Sequence, residues 1–174
     1  MSSSTKAHFL AVRDALDLVD VEAVDAFINW LQHGHGTTYI AGNGGSAANA
    51  SHLALHLVLS GRKAVSLTDN GPLFSAMAND LGYSASMSPG IFKGWEERNN
   101  DLLVVLSCSG TSANVIEFAG MLPVGLVGGI LGPRRHTGPV QVKGAYMLHV
   151  EGSEDFGVIE DVQSAIIHAV AAAL

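Results

Sequence analysis

The chain is short of charge, aromatic rings and cysteine. Only 14% of its 174 residues are Asp, Glu, Lys or Arg, against roughly 25% in an average soluble domain. Hydrophobic residues reach 48%, and mean hydropathy is +0.29. This length suits one domain, residues 1–174, and leaves little room for a second. So small a domain has more surface than these charges can cover, so part of its apolar surface is expected in a subunit interface. A single cysteine, Cys108, excludes an intramolecular disulfide framework and fits a reducing cytoplasm. Basic residues are in the minority, and the net charge is −7. That balance argues against nucleic acid or an anionic membrane as the main partner. Residues 1–20 carry charges throughout, with no signal-peptide core. The uncharged run Phe118–Pro133 is broken by glycines and prolines and is too short to span a bilayer.

What remains is glycine-rich, with 20 glycines, and alternates between two periodicities. Val12, Leu16, Val19, Val21, Val24, Phe27, Ile28 and Leu31 recur at helical spacing, with a break near Asp20. Short β-type runs are expected at Thr37–Asn43, Ala64–Leu67, Asp101–Ser107, Val124–Ile130 and Tyr146–Val150. Between them, helices are expected over Ser46–Ser60, Pro72–Asp80, Ile91–Arg98 and Ser112–Met121, with a closing helix from Asp155 to Leu174. Arg62 and Lys63 are read as marking a helix end. Strands alternating with helices imply an α/β domain with a parallel sheet covered on both faces. Right-handed crossovers would gather the loops after the strands at one edge, where such folds bind ligands.

Two of those loops carry chemistry. Gly42-Asn43-Gly44-Gly45-Ser46 leads from a strand into a helix. Its glycines let backbone N–H groups approach an anion, or simply make a tight turn with a serine cap. Neither the Gly-Lys-Ser/Thr ending of a nucleotide P-loop nor the G-x-G-x-x-G dinucleotide pattern is present. Ser107-Cys108-Ser109-Gly110-Thr111-Ser112 again joins a strand to a helix. Four hydroxyls and a glycine at a helix start supply the converging donors a phosphate needs, with no fixed positive charge.

These loops, with His52 and the run Asn79-Asp80-Leu81-Gly82-Tyr83, resemble the sugar isomerase (SIS) domain family, and within it the phosphoheptose isomerases. The resemblance implies a three-layer sandwich built on a five-stranded parallel sheet. It also implies a homotetramer, with a dimer as second choice, and sites between subunits. It places Ser107, Cys108, Ser109 and Ser112 in a phosphate loop, Asn43 and Ser46 in a first sugar loop, and Asn79 and Asp80 in a polar pair. Cys108 stands where the family usually has threonine, which loses a hydroxyl but keeps the backbone N–H.

The histidines depart from the family pattern. His52 and His56 are four apart on an expected helix, about 6 Å along its axis, a spacing that suits two ligands of one metal. By resemblance, the helix after the first loop supplies a His and, four residues later, a Glu, and the last helix a Gln and a His eight residues later. Here those positions are His52, His56, Glu160 and His168. The carboxylate has moved from one helix to the other, and the set still holds one. Three imidazoles and a carboxylate suit zinc. Glu160 and His168 lie about 12 Å apart along a straight helix and about 80° apart in rotation, so convergence of all four favours ligands from neighbouring subunits.

The expected function is metal-assisted aldose–ketose isomerisation of a long-chain sugar phosphate, sedoheptulose 7-phosphate to a heptose 7-phosphate, through an enediol. Glu160 or His56 is the candidate base, with Glu160 preferred, and His168 the candidate acid. The alternatives are a non-catalytic SIS-fold sensor or assembly scaffold, and an isomerase of another C5–C8 sugar phosphate.

Overall fold

Five short apolar runs pair, all in parallel, into one sheet in a computed structural model that describes residues 2–87, 100–135 and 138–174. The strands are β1 (Thr38–Ala41), β2 (Ala64–Ser66), β3 (Leu102–Ser107), β4 (Val127–Leu131) and β5 (Tyr146–His149), in the order β2-β1-β3-β4-β5. Around them lie α1 (Ser2–Leu16), α2 (Val21–His33), α3 (Gly45–Leu59), α4 (Gly71–Leu81), α5 (Ala113–Ala119) and α6 (Phe156–Ala173). The expected fold class is the observed one. The expected helix over Ile91–Arg98 lies outside the described residues.

The three inner strands, β1, β3 and β4, are buried along their whole length, because helices cover both faces. Alternation along β3 divides the core. Leu102, Val104 and Leu106 join Phe27, Leu31, Leu53, Leu57, Ile159 and Ile167 on one side. Leu103 and Val105 join Tyr39, Val115, Phe118 and Leu131 on the other. Each fully buried side chain of this size contributes about 1.5–3 kcal/mol.

The helix boundaries have local causes. Asp20 accepts from Ala23 N–H at 3.0 Å and starts α2, which explains the break in the helical periodicity. Asp155 does the same for α6, accepting from Val158 N–H at 3.1 Å. Arg62 does more than mark the end of α3. Its guanidinium donates to the carbonyls of Leu31 (2.7 Å), Gln32 (3.0 Å) and Gly34 (3.3 Å), and so caps α2 from a distant part of the chain. α6 is long and apolar enough to cross a membrane by composition. Its apolarity has a local use, since Val158, Ile159, Val162, Ile166, Ile167 and Val170 are all buried against the domain.

Chain order reverses beside β1: β2 lies on one side and β3 on the other. The carboxyl ends of β1 and β3 therefore flank a crevice at a topological switch point. Both glycine- and serine-rich loops leave from there.

Candidate functional site

The loop after β3 is shaped by its own serines. Ser107 Oγ accepts from Gly110 N–H at 3.0 Å, and Gly110 turns the chain at φ +64°, a conformation that favours glycine. Ser109 Oγ lies 2.9 Å from Thr111 Oγ1 and also accepts from Thr111 N–H at 3.3 Å. Ser112 precedes α5 without spending its hydroxyl on a cap.

This loop meets the one after β1 in a cavity of about 90 Å³ lined by Asn43, Ser46, Ser107, Cys108, Ser109, Ser112, Phe156 and Glu160. The six loop residues expected from sequence come together here. Glu160, on the first turns of α6, supplies the only charged side chain among the lining residues. Its carboxylate presses on the backbone at Gly45, where a Cβ would collide with it. Gly45 therefore permits a close approach between α6 and the start of α3. Glu160 Oε1 is 3.8 Å from Cys108 Sγ. Burial, with a smaller effect from Glu160, pushes the Cys108 thiol up to about 11, so it stays a neutral S–H beside the carboxylate at neutral pH.

Three supporting residues were not singled out from sequence. Asn114 exchanges amide hydrogen bonds with Asn43, each at 3.0 Å, and Tyr83 donates to Asn43 Oδ1 at 2.8 Å. These bonds fix the Asn43 side chain. Gln163 is fully buried at 0% exposure. It donates to Ile130 O at 2.9 Å and accepts from Asn49 at 3.3 Å and from Ser46 Oγ at 3.5 Å. Gln163 stands among apolar residues on the buried face of α6, and that was its signal: a polar group at a core position must be partnered.

The histidines form a separate cluster. His52 and His56 from α3 meet His168 from α6, with one ligating nitrogen of each within 4.8 Å of the others. His52 Nε2 and His56 Nε2 are 2.9 Å apart, so one carries the proton and the other accepts it. The His168 ring stands edge-on to both, at centroid distances of 4.8 and 5.6 Å. Burial, then the neighbouring His56 and His168 rings, hold His52 below its ordinary value of 6.5, which favours the neutral form that binds metal. Three imidazole nitrogens converging from two helices fit a zinc ion.

Two expected groupings do not form within a single chain. Glu160 lies apart from the three histidines. The set divides three and one, because about 12 Å of helix rise lies between Glu160 and His168, and Glu160 enters the loop pocket instead. Asn79 and Asp80 do not line that pocket either. They are exposed on α4, and Asn79 Nδ2 donates to Asp80 Oδ1 at 2.8 Å.

The SIS domain model matches residues 19–121, a span that includes both loops and α3. The phosphoheptose isomerase of Syntrophotalea carbinolica is 31% identical, over 83% of this chain and 88% of that protein. That of Aneurinibacillus thermoaerophilus is 32% identical, over 73% and 68%. Among solved structures, the phosphoheptose isomerase of Neisseria gonorrhoeae superposes with a TM-score of 0.84 at 26% identity, covering 99% of this chain and 95% of that one. The Vibrio vulnificus NanR protein, solved with ManNAc-6P, shares the fold at a TM-score of 0.70 and 17% identity, over 99% of this chain and 61% of that one. With the switch-point crevice, the two loops and these likenesses in agreement, the chain belongs to the SIS-domain family, alongside the phosphoheptose isomerases.

Proposed function

We propose that this protein is a sugar-phosphate isomerase that interconverts an aldose and a ketose, with sedoheptulose 7-phosphate and a heptose 7-phosphate as the substrate pair. One observation carries the reading: a lone carboxylate, Glu160, faces the same pocket as the hydroxyl-rich loop. The hydroxyls of Ser109 and Ser112 and the loop N–H groups bind the phosphate. Glu160 removes the proton from the carbon beside the carbonyl and returns it to the neighbouring carbon, which is the proton transfer of an enediol route. Cys108, held neutral, adds no second negative charge beside it. His52, His56 and His168 would hold zinc, which when bound supplies Lewis-acid polarisation of a carbonyl or hydroxyl oxygen. Glu160 works from the loop pocket rather than from that cluster.

A homotetramer, or failing that a dimer, accords with the exposed Leu55, Val58 and Leu59 on α3, beside His52 and His56. A cytoplasmic location accords with a phosphorylated substrate and a free thiol.

The test is a zinc-replete assay over C5 to C8 aldose and ketose phosphates in deuterium oxide. The expected result is turnover strongest with the heptose pair, with deuterium entering at the carbon next to the carbonyl. Binding without turnover on any sugar would favour a non-catalytic sugar-phosphate sensor instead. That second reading draws on the fold likeness to NanR and on the histidine at position 56.

A further inference from the structure

Asn43 belongs to a small group of side chains that joins the two loops of the pocket. It stands on the loop after β1, whereas Asn114, at 1% exposure, opens α5 just beyond the loop after β3. Tyr83 reaches Asn43 from the short 3₁₀ turn Tyr83–Ala85 that follows α4. There its ring stands edge-on to Phe74, at a centroid distance of 5.9 Å.

The polar capacity of the two amides can be counted atom by atom. An asparagine oxygen accepts two hydrogen bonds, and its NH₂ donates two. Asn114 Oδ1 accepts from Val115 N–H at 3.1 Å and from Asn43 Nδ2 at 3.0 Å. Asn114 Nδ2 donates to Asn43 Oδ1 at 3.0 Å and to Met87 Sδ at 3.7 Å. Asn114 is therefore saturated, and its orientation is fixed. Val115 N–H, which also donates to Ser112 O at 3.0 Å, is a backbone donor and cannot accept. Turning the Asn114 amide over would set NH₂ against it.

Because Asn114 cannot turn over, Asn43 must keep its oxygen toward Asn114 Nδ2. Tyr83 O–H then donates to the second acceptor site of Asn43 Oδ1, at 2.8 Å. That oxygen is spent. Asn43 Nδ2 gives one hydrogen to Asn114, and its other hydrogen has no partner among the described residues. Any hydrogen bond from this side chain to a ligand is therefore a donation by one N–H.

Asn43 and Glu160 line the same cavity. When a carboxylate takes a proton from the carbon beside a carbonyl, negative charge develops on the carbonyl oxygen. An N–H already held in place stabilises that charge without reorganising. An amide free to accept as well would bind a substrate hydroxyl equally readily, and Tyr83 removes that option.

We propose that Tyr83 is a positioning residue: by occupying Asn43 Oδ1, it keeps Asn43 a pure donor to the substrate oxygen on which the enediol charge develops. This role rests on the isomerase reading, whereas the donor-only state of Asn43 does not.

Tyr83→Phe tests it, since the change removes the hydroxyl and keeps the ring beside Phe74. In zinc-replete protein, kcat for sedoheptulose 7-phosphate is expected to fall by about 3–10-fold, the scale of one neutral hydrogen bond. KM, inorganic phosphate affinity and the thermal midpoint are expected to stay unchanged. Nitrogen-15 nuclear magnetic resonance of the full chain reads Asn43 Nδ2 directly, with its signals assigned by their loss in Asn43→Asp. Saturating sedoheptulose 7-phosphate is expected to shift one of the two Nδ2 hydrogens, and inorganic phosphate neither. An equal shift with inorganic phosphate would give the N–H to the phosphate and overturn the proposal. An unchanged kcat in Tyr83→Phe would overturn it too, as would a kcat loss matched by a lower thermal midpoint. A wild type that binds the sugar phosphate and shifts that hydrogen without turnover would overturn the isomerase reading and the role of Tyr83 with it, while Asn43 would stand as a donor.

Discussion

The loop pocket and the histidine cluster are built by opposite means, although the same two helices serve both. The pocket lies where two strands end, and short loops carry its polar atoms. Gly110 turns the chain there and Gly45 lets the Glu160 carboxylate come close, and Ser46 and Ser107 are buried, at 3% and 6% exposure. The histidine cluster uses no loop. It is a patch of helix surface on α3 and α6, with His168 exposed. One site is rich in hydroxyls with a single carboxylate, and the other is all imidazole. On the proposed function, the groups for proton transfer and for metal binding, which the sequence pattern joins in one set of four residues, therefore lie in separate places within one chain.

The sharpest way to break this comparison is Glu160→Gln. The expected outcome is a loss of about 10²–10⁴-fold in kcat, with KM and zinc content unchanged, read by steady-state kinetics and metal analysis of the purified variant. If zinc were lost together with turnover, Glu160 would belong to the histidine cluster after all. Next in size is His168→Ala. It should weaken zinc by more than the about 10–100-fold typical of losing an outer-shell partner, while leaving inorganic phosphate affinity unchanged, both read by titration calorimetry. A fall in phosphate affinity would merge the two sites.

The smallest effect is on stability. The pKa of His149 in the folded protein is below its ordinary value of 6.5, chiefly through burial. Between that lowered value and 6.5 the unfolded chain binds more protons, so stability falls as pH drops through this window. His52 is shifted in the same direction and adds to the slope. In the presence of a chelator, His149→Gln should flatten the fall in urea midpoint below about pH 6.5 without removing it. An unchanged slope would mean that His149 titrates alike in both states.

Much of this was legible in the chain. The run Asp101–Ser107 announced β3, because an uninterrupted apolar stretch before a glycine loop fits a strand buried on both faces. The strand is one residue shorter, since Asp101 turns its carboxylate to Thr37 N–H at 2.7 Å. Both loops and the break at Asp20 were legible from local chemistry alone. The placement of Glu160 was not. The eight-residue spacing showed that Glu160 and His168 point apart, but not which of them would meet His52 and His56. That depends on how α6 lies against the sheet, a property of the packed core. That Asn79 and Asp80 lie exposed on α4, away from this chain's loop pocket, was not legible either, because a motif matches residue types and not the direction a helix face takes. Arg62 was underread for a related reason: its partners on α2 lie about thirty residues earlier, beyond the reach of local periodicity.

α6 is one uninterrupted rod carrying a residue of each site, and this restricts how the gene can drift. Inserting or deleting one codon between positions 160 and 168 would turn one site by about 100° relative to the other. Neither Glu160 nor His168 could then be recovered by a compensating change nearby. Surviving lineages should therefore hold the interval at eight residues even as the residues between them are exchanged.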